Sequence, residues 1–252
     1  MISIISPIYN EADNLMELYR RVVVALESIQ EEFEFILVEN GSSDRSLEII
    51  KKLREKDPRI KYVSLSRNFG HQGGIVAGLA NVSGNAVITL DGDLQHPPEL
   101  IPNLVELWKK GYDVVYTTKK VNKHIGSWRV FPTRFFYKLI SYISEVSLTY
   151  GQSDYRLLDR KVVDVLIQIP EKNKFLRGMV KWIGFSQIGV EYEVAQRKRG
   201  QSKFSLWNYI SFAHDGIFSF STVPLKVFLW IGVIVASFCG FYAFYYFVMG
   251  II

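Results

Sequence analysis

The chain has 252 residues, 48% of them hydrophobic, a net charge of +5, a pI of about 9.1 and a mean hydropathy of +0.09. That length holds one large α/β domain with a small appendage, and the basic balance points to acidic partners such as nucleic acid, anionic lipid or phosphorylated substrates. A single cysteine, Cys239, excludes a disulfide framework within the chain, and no basic stretch followed by an apolar one precedes the first strand-like run, so no signal peptide is read.

Short β-branched runs alternate with longer helical patterns. The pattern predicts strands over residues 2–6, 35–39, 61–65, 86–90 and 113–117, and helices over 14–29, 44–56, 72–81 and 98–109, with Ser43 or Asp44 as the N-cap of the second helix. This βαβα rhythm implies a Rossmann-like, mainly parallel sheet with helices on both faces, in which ligands bind at the carboxyl ends of the strands. Polar clusters fall at those ends: Tyr9-Asn10-Glu11, Glu39-Asn40-Gly41-Ser42, Arg67-Asn68 and Asp91-Gly92-Asp93.

After Lys120 the rhythm changes. Residues 122–127 form a basic loop, and 128–146 an amphipathic helix with Pro132 near its start. There Phe131, Phe135, Leu139 and Ile143 recur every four residues, with Arg129, Arg134 and Lys138 between them. Such a helix either packs on the domain or lies in a membrane interface. A basic turn over 197–203 leads to a juxtamembrane helix over 204–223. From Val227 to Ile252 there is no charged residue, enough to span a bilayer; the alternative reading of that run is a buried core helix. Arg197, Lys198, Arg199, Lys203 and Lys226 place the preceding domain in the cytosol by the positive-inside rule. The expected organisation is a cytosolic catalytic domain over 1–200, a juxtamembrane segment over 201–223 and a transmembrane helix over 224–252.

Thr89-Leu90-Asp91-Gly92-Asp93-Leu94-Gln95 is the strongest local chemical signal. An apolar strand ends in two carboxylates at i and i+2, with an amide two further on. Such oxygen donors suit a hard cation, Mg²⁺ or Mn²⁺, bridging the phosphates of a nucleotide diphosphate. Alone, Asp-x-Asp is a weak motif that reads more readily as a cap before the Pro97-Pro98 helix, and its place at a strand end in a βαβ unit adds weight to the metal. Glu39 can accept hydrogen bonds from a base and Tyr9 can offer an aromatic face, although each cluster by itself is also an ordinary turn. Asp154, close to Arg156, either orients the acceptor or the sugar or forms a structural ion pair.

Ser6-Pro7-Ile8-Tyr9-Asn10-Glu11, residues 39–44, Arg67-Asn68-Phe69-Gly70 and residues 91–98 resemble the successive motifs of glycosyltransferase family 2. Tyr155-Arg156-Leu157-Leu158-Asp159-Arg160 and Arg199-Gly200-Gln201-Ser202-Lys203-Phe204, followed by a membrane segment, are similar to its polyprenyl-phosphate subgroup. That subgroup contains dolichol-phosphate mannose synthase and the bactoprenol glucosyltransferases. The resemblance implies a GT-A fold, a metal surrounded by Asp91, Asp93 and Gln95, and a nucleotide pocket lined by Pro7, Tyr9, Glu11, Glu39 and Asp91. It also implies inverting transfer to the phosphate of a membrane polyprenol; the catalytic candidates are Asp91 and Asp93 and, from the reading of the residues above, Asp154. Candidates to grip the acceptor phosphate are Arg129, Arg134, Arg199, Ser202 and Lys203. UDP-glucose is the first expectation for the donor and GDP-mannose the second. Glu39-Asn40 stands where relatives often carry two acidic residues, which leaves base selectivity open, and one membrane helix stands where bacterial relatives usually have two.

Other classes fit less well. A dehydrogenase lacks its Gly-x-Gly-x-x-Gly after the first strand, and His71, His96, His124 and His214 lack zinc-ligand spacing. A processive synthase lacks Gln-x-x-Arg-Trp, and the basic residues cluster beside the anchor, against nucleic-acid binding. The alternatives kept are transfer to another lipid, glycan or protein acceptor, and a non-catalytic membrane-tethered nucleotide-binding protein. Anchoring in a bilayer also brings self-association into reach.

Overall fold

A computed structural model of the chain describes residues 1–120, 151–171, 175–193 and 223–251. The expected amphipathic helix with Arg129 and Arg134 lies outside the described residues. So do the basic turn with Arg199, Ser202 and Lys203 and nearly all of the juxtamembrane segment, up to residue 222.

The five predicted strands and four predicted helices all form. β1 (Ile2–Ile8), β2 (Phe33–Glu39), β3 (Ile60–Ser64) and β4 (Ala86–Thr89) run parallel. They are joined by α1 (Ala12–Glu27), α2 (Ser46–Lys56) and α3 (Gly70–Leu79). A 3-10 turn, Pro98–Leu100, precedes α4 (Ile101–Lys109), which leads to β5 (Val114–Lys119). Four further elements were not anticipated: β6 (Gln152–Asp159), α5 (Arg160–Gln168), α6 (Leu176–Trp182) and β7 (Gln187–Tyr192).

The seven strands lie in the order β3-β2-β1-β4-β6-β5-β7. β6 is antiparallel to both its neighbours, β4 and β5, while β7 is parallel to β5. The first half is therefore doubly wound, and one reversed strand is set into the second half.

The sheet is covered on both sides. One face of β1 and β2, with Ile2, Ile4, Ile8, Phe35 and Leu37, packs on Leu15, Leu18 and Val22 of α1 and Leu104 and Val105 of α4. The other face, with Ile5, Ile36 and Val38, packs on Ile75 and Leu79 of α3, Val162 and Leu166 of α5 and Met179 of α6. Burial on both faces explains why these strands read as continuous apolar runs rather than alternating ones.

α3 is rich in glycine for a reason of packing. A Cβ at Gly78 would strike Ile5, and one at Gly74 would lie 2.9 Å from Cβ of Pro7. Each helical glycine costs about 1 kcal/mol in propensity, offset here by the close approach of α3 to β1. That approach carries the N-terminal residues of α3, His71 and Gln72, over the ends of the strands.

The last described element, α7 (Val223–Met249), contains a 25-residue span, Leu225–Met249, whose most apolar 18-residue window has a mean hydropathy of 2.2 and is nowhere buried. About 20 apolar residues suffice to cross a bilayer, so α7 is long and apolar enough to do so.

Candidate active site

The strand order reverses at β1: the chain moves outward to β2 and β3, then returns to place β4 on the other side of β1. Open α/β sheets bind ligands in the crevice that opens at such a point. Pro7 and Tyr9 at the end of β1, Glu39 at the end of β2 and Asp91 just beyond β4 all sit on this edge, with Ile8 and Glu39 directly paired in register. Four of the five expected nucleotide-pocket residues thus lie at neighbouring strand ends, and the fifth, Glu11, sits at the start of α1 that follows β1.

The loops there are knitted together. Asn10 N–H donates to Ser42 Oγ (3.0 Å) and Ser43 N–H donates back to Asn10 Oδ1 (2.8 Å). Glu11 N–H donates to Ser46 Oγ (3.1 Å), and Glu11 Oε2 accepts from Asn14 Nδ2 (2.6 Å). Asp44 serves two helix starts at once, accepting from Ala12 N–H (3.1 Å) and Ser46 N–H (2.9 Å). The residue at the α2 cap position is Arg45, so the expected cap acts from one residue earlier. Burial opposes ionisation of Asp44, but the bonds from Ser46 and Ala12 hold it below the ordinary carboxylate range. Glu39 is 3% exposed and accepts from Ser42 N–H and, at 3.3 Å, from Ser64 Oγ. Asn40 is a strap: Oδ1 accepts from Phe69 N–H (2.9 Å) and Nδ2 donates to the Gly70 carbonyl (3.0 Å), which holds the loop after β3.

The Asp91–Gln95 segment is a turn pressed against β1. A Cβ on Gly92 would lie 2.7 Å from Cδ1 of Ile8, so the end of that side chain would have to shift to admit one. Leu94 takes a left-handed φ of 61° with its side chain buried, and Asp93 Oδ1 accepts from Gln95 N–H (3.1 Å). The capping alternative for this motif does not describe the turn: Pro97 occupies the cap position and no side chain caps the helix.

β6 completes the crevice. Because it runs antiparallel, with Thr89 opposite Arg156, its first residues arrive at the edge where the parallel strands end. Asp154 is buried there and receives a bidentate pair from Arg177 of α6, Nε to Oδ1 at 2.8 Å and Nη2 to Oδ2 at 2.7 Å. Arg156 Nη2 donates to Oδ1 (3.2 Å) and Gln72 Nε2 to Oδ2 (3.3 Å). His71 Nε2 stands 3.6 Å from Asp154 Oδ2 and 3.2 Å from Asp91 Oδ1, bridging the two acids. On the other side of Asp91, His96 Nδ1 lies 3.2 Å from Oδ2, off the line of a hydrogen bond, and its Nε2 is 2.8 Å from Ser153 Oγ.

The charges follow from these distances. Burial opposes ionisation of Asp154, yet Arg177, His71 and Arg156 outweigh it and hold its carboxyl well below the ordinary range. His71 keeps 40% of its side chain exposed, and although partial desolvation would lower it, Asp91 and Asp154 raise it to about 9, while burial keeps His96 below its ordinary value. A carboxylate clamped in this way is a poor proton acceptor and a good anchor for cations.

Residues 3–167 match the Glycosyl transferase family 2 profile. The chain is 41% identical over 235 residues to an uncharacterized glycosyltransferase of Synechocystis, covering 93% of this chain and 74% of that one. It is 38% identical over 236 residues to the bactoprenol glucosyl transferase of Shigella phage SfV, covering 94% and 77%. The chain belongs to glycosyl transferase family 2. Among solved structures, glucosyl-3-phosphoglycerate synthase of Mycobacterium tuberculosis, in complex with Mn²⁺, UDP and phosphoglyceric acid, superposes with a TM-score of 0.55. At 19% identity over 85% of this chain and 75% of that one, this match shows the shared fold. The GT-A architecture expected from the family motifs is thus the one observed.

For a metal in this family 2 site, the donor set fits. Asp91 and Asp93 are half-buried carboxylates on one turn at the strand edge, with Gln95 two residues on. Among the described residues no group of three or more His, Cys, Asp and Glu side chains forms a cage of its own. Two carboxylates and an amide oxygen suit a hard divalent cation, whose remaining ligands would be waters or substrate phosphates. Sequence reasoning missed His71, His96, Gln72 and Arg177, because their positions carry no common spacing and only the tertiary fold converges them on Asp91 and Asp154.

Proposed function

We propose that the protein transfers a hexose from a nucleotide-sugar, with UDP-glucose the first choice of donor, to the phosphate of a membrane polyprenyl phosphate. The carrying observation is the Asp91-Gly92-Asp93 turn at the β1/β4 reversal, in a chain similar over more than nine tenths of its length to a bactoprenol glucosyl transferase. The half-exposed Pro7 and Tyr9 and the interlocked loops after β1 and β2 form a rigid floor for the nucleotide. Asp91 and Asp93, with Gln95 beside them, would hold Mg²⁺ or Mn²⁺. When bound, that ion neutralises the charge developing on the departing diphosphate.

The acceptor phosphate is already anionic near neutral pH, so one of its oxygens attacks the anomeric carbon as the nucleoside diphosphate leaves, with inversion. No side chain has to remove a proton, and positioning and electrostatics carry the rate. This agrees with an Asp154 that is clamped by cations. α7 anchors the chain in the bilayer that holds the acceptor, and the basic residues before it favour a cytosolic catalytic domain.

The test is transfer of radiolabelled sugar into organic-extractable lipid. Full-length protein in detergent receives a polyprenyl phosphate, Mg²⁺ or Mn²⁺, and separately UDP-glucose or GDP-mannose. Metal-dependent lipid labelling from UDP-glucose is expected. Labelling from GDP-mannose alone would revise the donor, and no lipid labelling from either would overturn the acceptor.

A further inference from the structure

The transfer reaction needs no proton acceptor and leaves His96 without a part, yet this residue directly follows the carboxylate turn and is 2% exposed. Its ring is stacked on Tyr155, centroids 5.5 Å apart, and meets Tyr192 edge-on at 5.7 Å, contacts that fix the plane of the imidazole. A phenyl ring would serve that packing as well. Histidine brings two nitrogens into a buried place, where a polar atom left unpaired is costly. Nε2 is paired with Ser153 Oγ at 2.8 Å. Nδ1 is buried without a hydrogen bond, and Asp91 Oδ2 stands 3.2 Å from it.

Ser153 decides which nitrogen faces Asp91 with a proton. Its Oγ accepts from Tyr155 N–H at 3.2 Å, and its own hydroxyl proton is left to donate to His96 Nε2. A neutral imidazole that accepts at Nε2 carries its proton on Nδ1. The opposite tautomer would set a bare lone pair on Nδ1 against a carboxylate oxygen and leave both unsatisfied. The separation from Asp91 Oδ2 is already of hydrogen-bond length, so only the angle has to change. The terminal torsion of an aspartate is broad, and the Asp91 side chain, 29% exposed, has room to turn.

We infer that His96 is a positioning residue for the metal site: its Nδ1–H, set by Ser153, orients the Asp91 carboxylate as a cation ligand. Each carboxylate oxygen accepts at two sites, so this bond leaves room for the ion. The inference rests on the proposed reading, in which Asp91 and Asp93 hold Mg²⁺ or Mn²⁺. It adds the group behind the ligand, of the kind whose removal typically weakens a metal about 10- to 100-fold.

The experiment measures two equilibria on the full-length chain in detergent: Mn²⁺ binding beside saturating UDP, read from loss of the free-ion spin-resonance signal, and UDP binding without metal. His96→Phe keeps a ring between Tyr155 and Tyr192 but has no N–H. It is expected to weaken Mn²⁺ about tenfold or more while changing metal-free UDP binding by less than about twofold. His96→Asn puts an amide N–H near the place of Nδ1 and is expected to stay within about threefold of wild type for Mn²⁺. His96→Gln, whose amide reaches towards Ser153 instead, is expected to follow His96→Phe. Undiminished Mn²⁺ affinity in His96→Phe would overturn the inference and reduce the residue to aromatic packing. Equal losses in His96→Asn and His96→Phe would overturn it too, because rescue by the N–H is what separates orienting Asp91 from filling space. A matching loss of metal-free UDP binding would mean that the crevice itself was disturbed, and would also count against it. A wild type that takes up no Mn²⁺ beside UDP would sink the metal reading and this inference together, whereas failure of this inference alone shows only in the variants.

Discussion

Two glycines at the site edge differ in what surrounds them. A Cβ on Gly41 would lie 2.5 Å from the carbonyl carbon of Arg67 and 2.7 Å from the amide nitrogen of Asn68, at a φ of 71°. Backbone cannot yield as the end of a side chain does, and a left-handed φ adds its own cost, so Gly41→Ala should destabilise by about 2–4 kcal/mol in urea unfolding. It should also weaken nucleotide binding, since the displaced segment is the loop that Asn40 straps. Gly92 is different, because the nearest atom its Cβ would meet is the movable Cδ1 of Ile8 at 2.7 Å, with the Pro7 carbonyl at 3.4 Å and Ser6 Oγ at 3.7 Å in ordinary or near-ordinary contact. Gly92→Ala should therefore cost about 1 kcal/mol or less in stability and act mainly on the aim of Asp91 and Asp93. Asp93→Asn keeps an oxygen that can accept from Gln95 N–H but loses the charge. It should leave thermal unfolding nearly unchanged while lowering sugar transfer by about 100-fold or more, and full activity in this variant would remove Asp93 from the metal site.

Asp57 joins three elements away from the crevice. It follows α2, accepts from Tyr19 Oη of α1 (3.0 Å), and is gripped by Arg59, which leads into β3, through Nε (3.0 Å) and Nη2 (2.8 Å). Arg59 Nη1 continues to Glu27 at 3.1 Å. The bond from Arg59, working against burial, holds the Asp57 carboxyl below its ordinary value. A depressed carboxyl contributes stability above its unfolded pKa, near 4, and loses that contribution as pH falls through the folded value. Asp57→Asn should therefore unfold more easily by about 1–3 kcal/mol at pH 7. In melts at pH 3 the gap to wild type should narrow, and a gap of equal size at both pH values would rule out the charge as its cause.

At the scale of the molecule, the α/β sheet and α7 treat their apolar residues in opposite ways. The domain buries its apolar residues on both faces of a sheet, whereas Leu225–Met249 of α7 exposes them throughout. Each charge placed mid-span costs about 2.5–3.5 kcal/mol in insertion. The double variant Ile234→Arg, Phe238→Arg should shift the protein from the membrane to the soluble fraction. Binding of UDP should survive that change, and transfer to an acceptor embedded in vesicles should fall. Loss of UDP binding in the same variant would show that α7 supports the domain fold.

The sequence by itself determined the parallel half of the sheet, α1 to α4, the carboxylate turn after β4 and the apolar length of α7. Each of these is written in local periodicity or in a short run of residue types, and local patterns survive whatever the chain packs against. β6 was hidden for the opposite reason. Gln152, Ser153, Asp154 and Arg156 are buried in it, and polar residues in a central strand carry no strand signature until their partners are known. Its direction, too, is a property of its neighbours β4 and β5, and that direction is what delivers Asp154 to the end of the sheet where Asp91 waits. The glycines of α3 were visible in the sequence, but the close approach they permit, which swings His71 and Gln72 over the strand ends, was not. Residues 71, 91, 96, 154 and 177 share no spacing along the chain; the tertiary structure alone decided that they form one charged cluster.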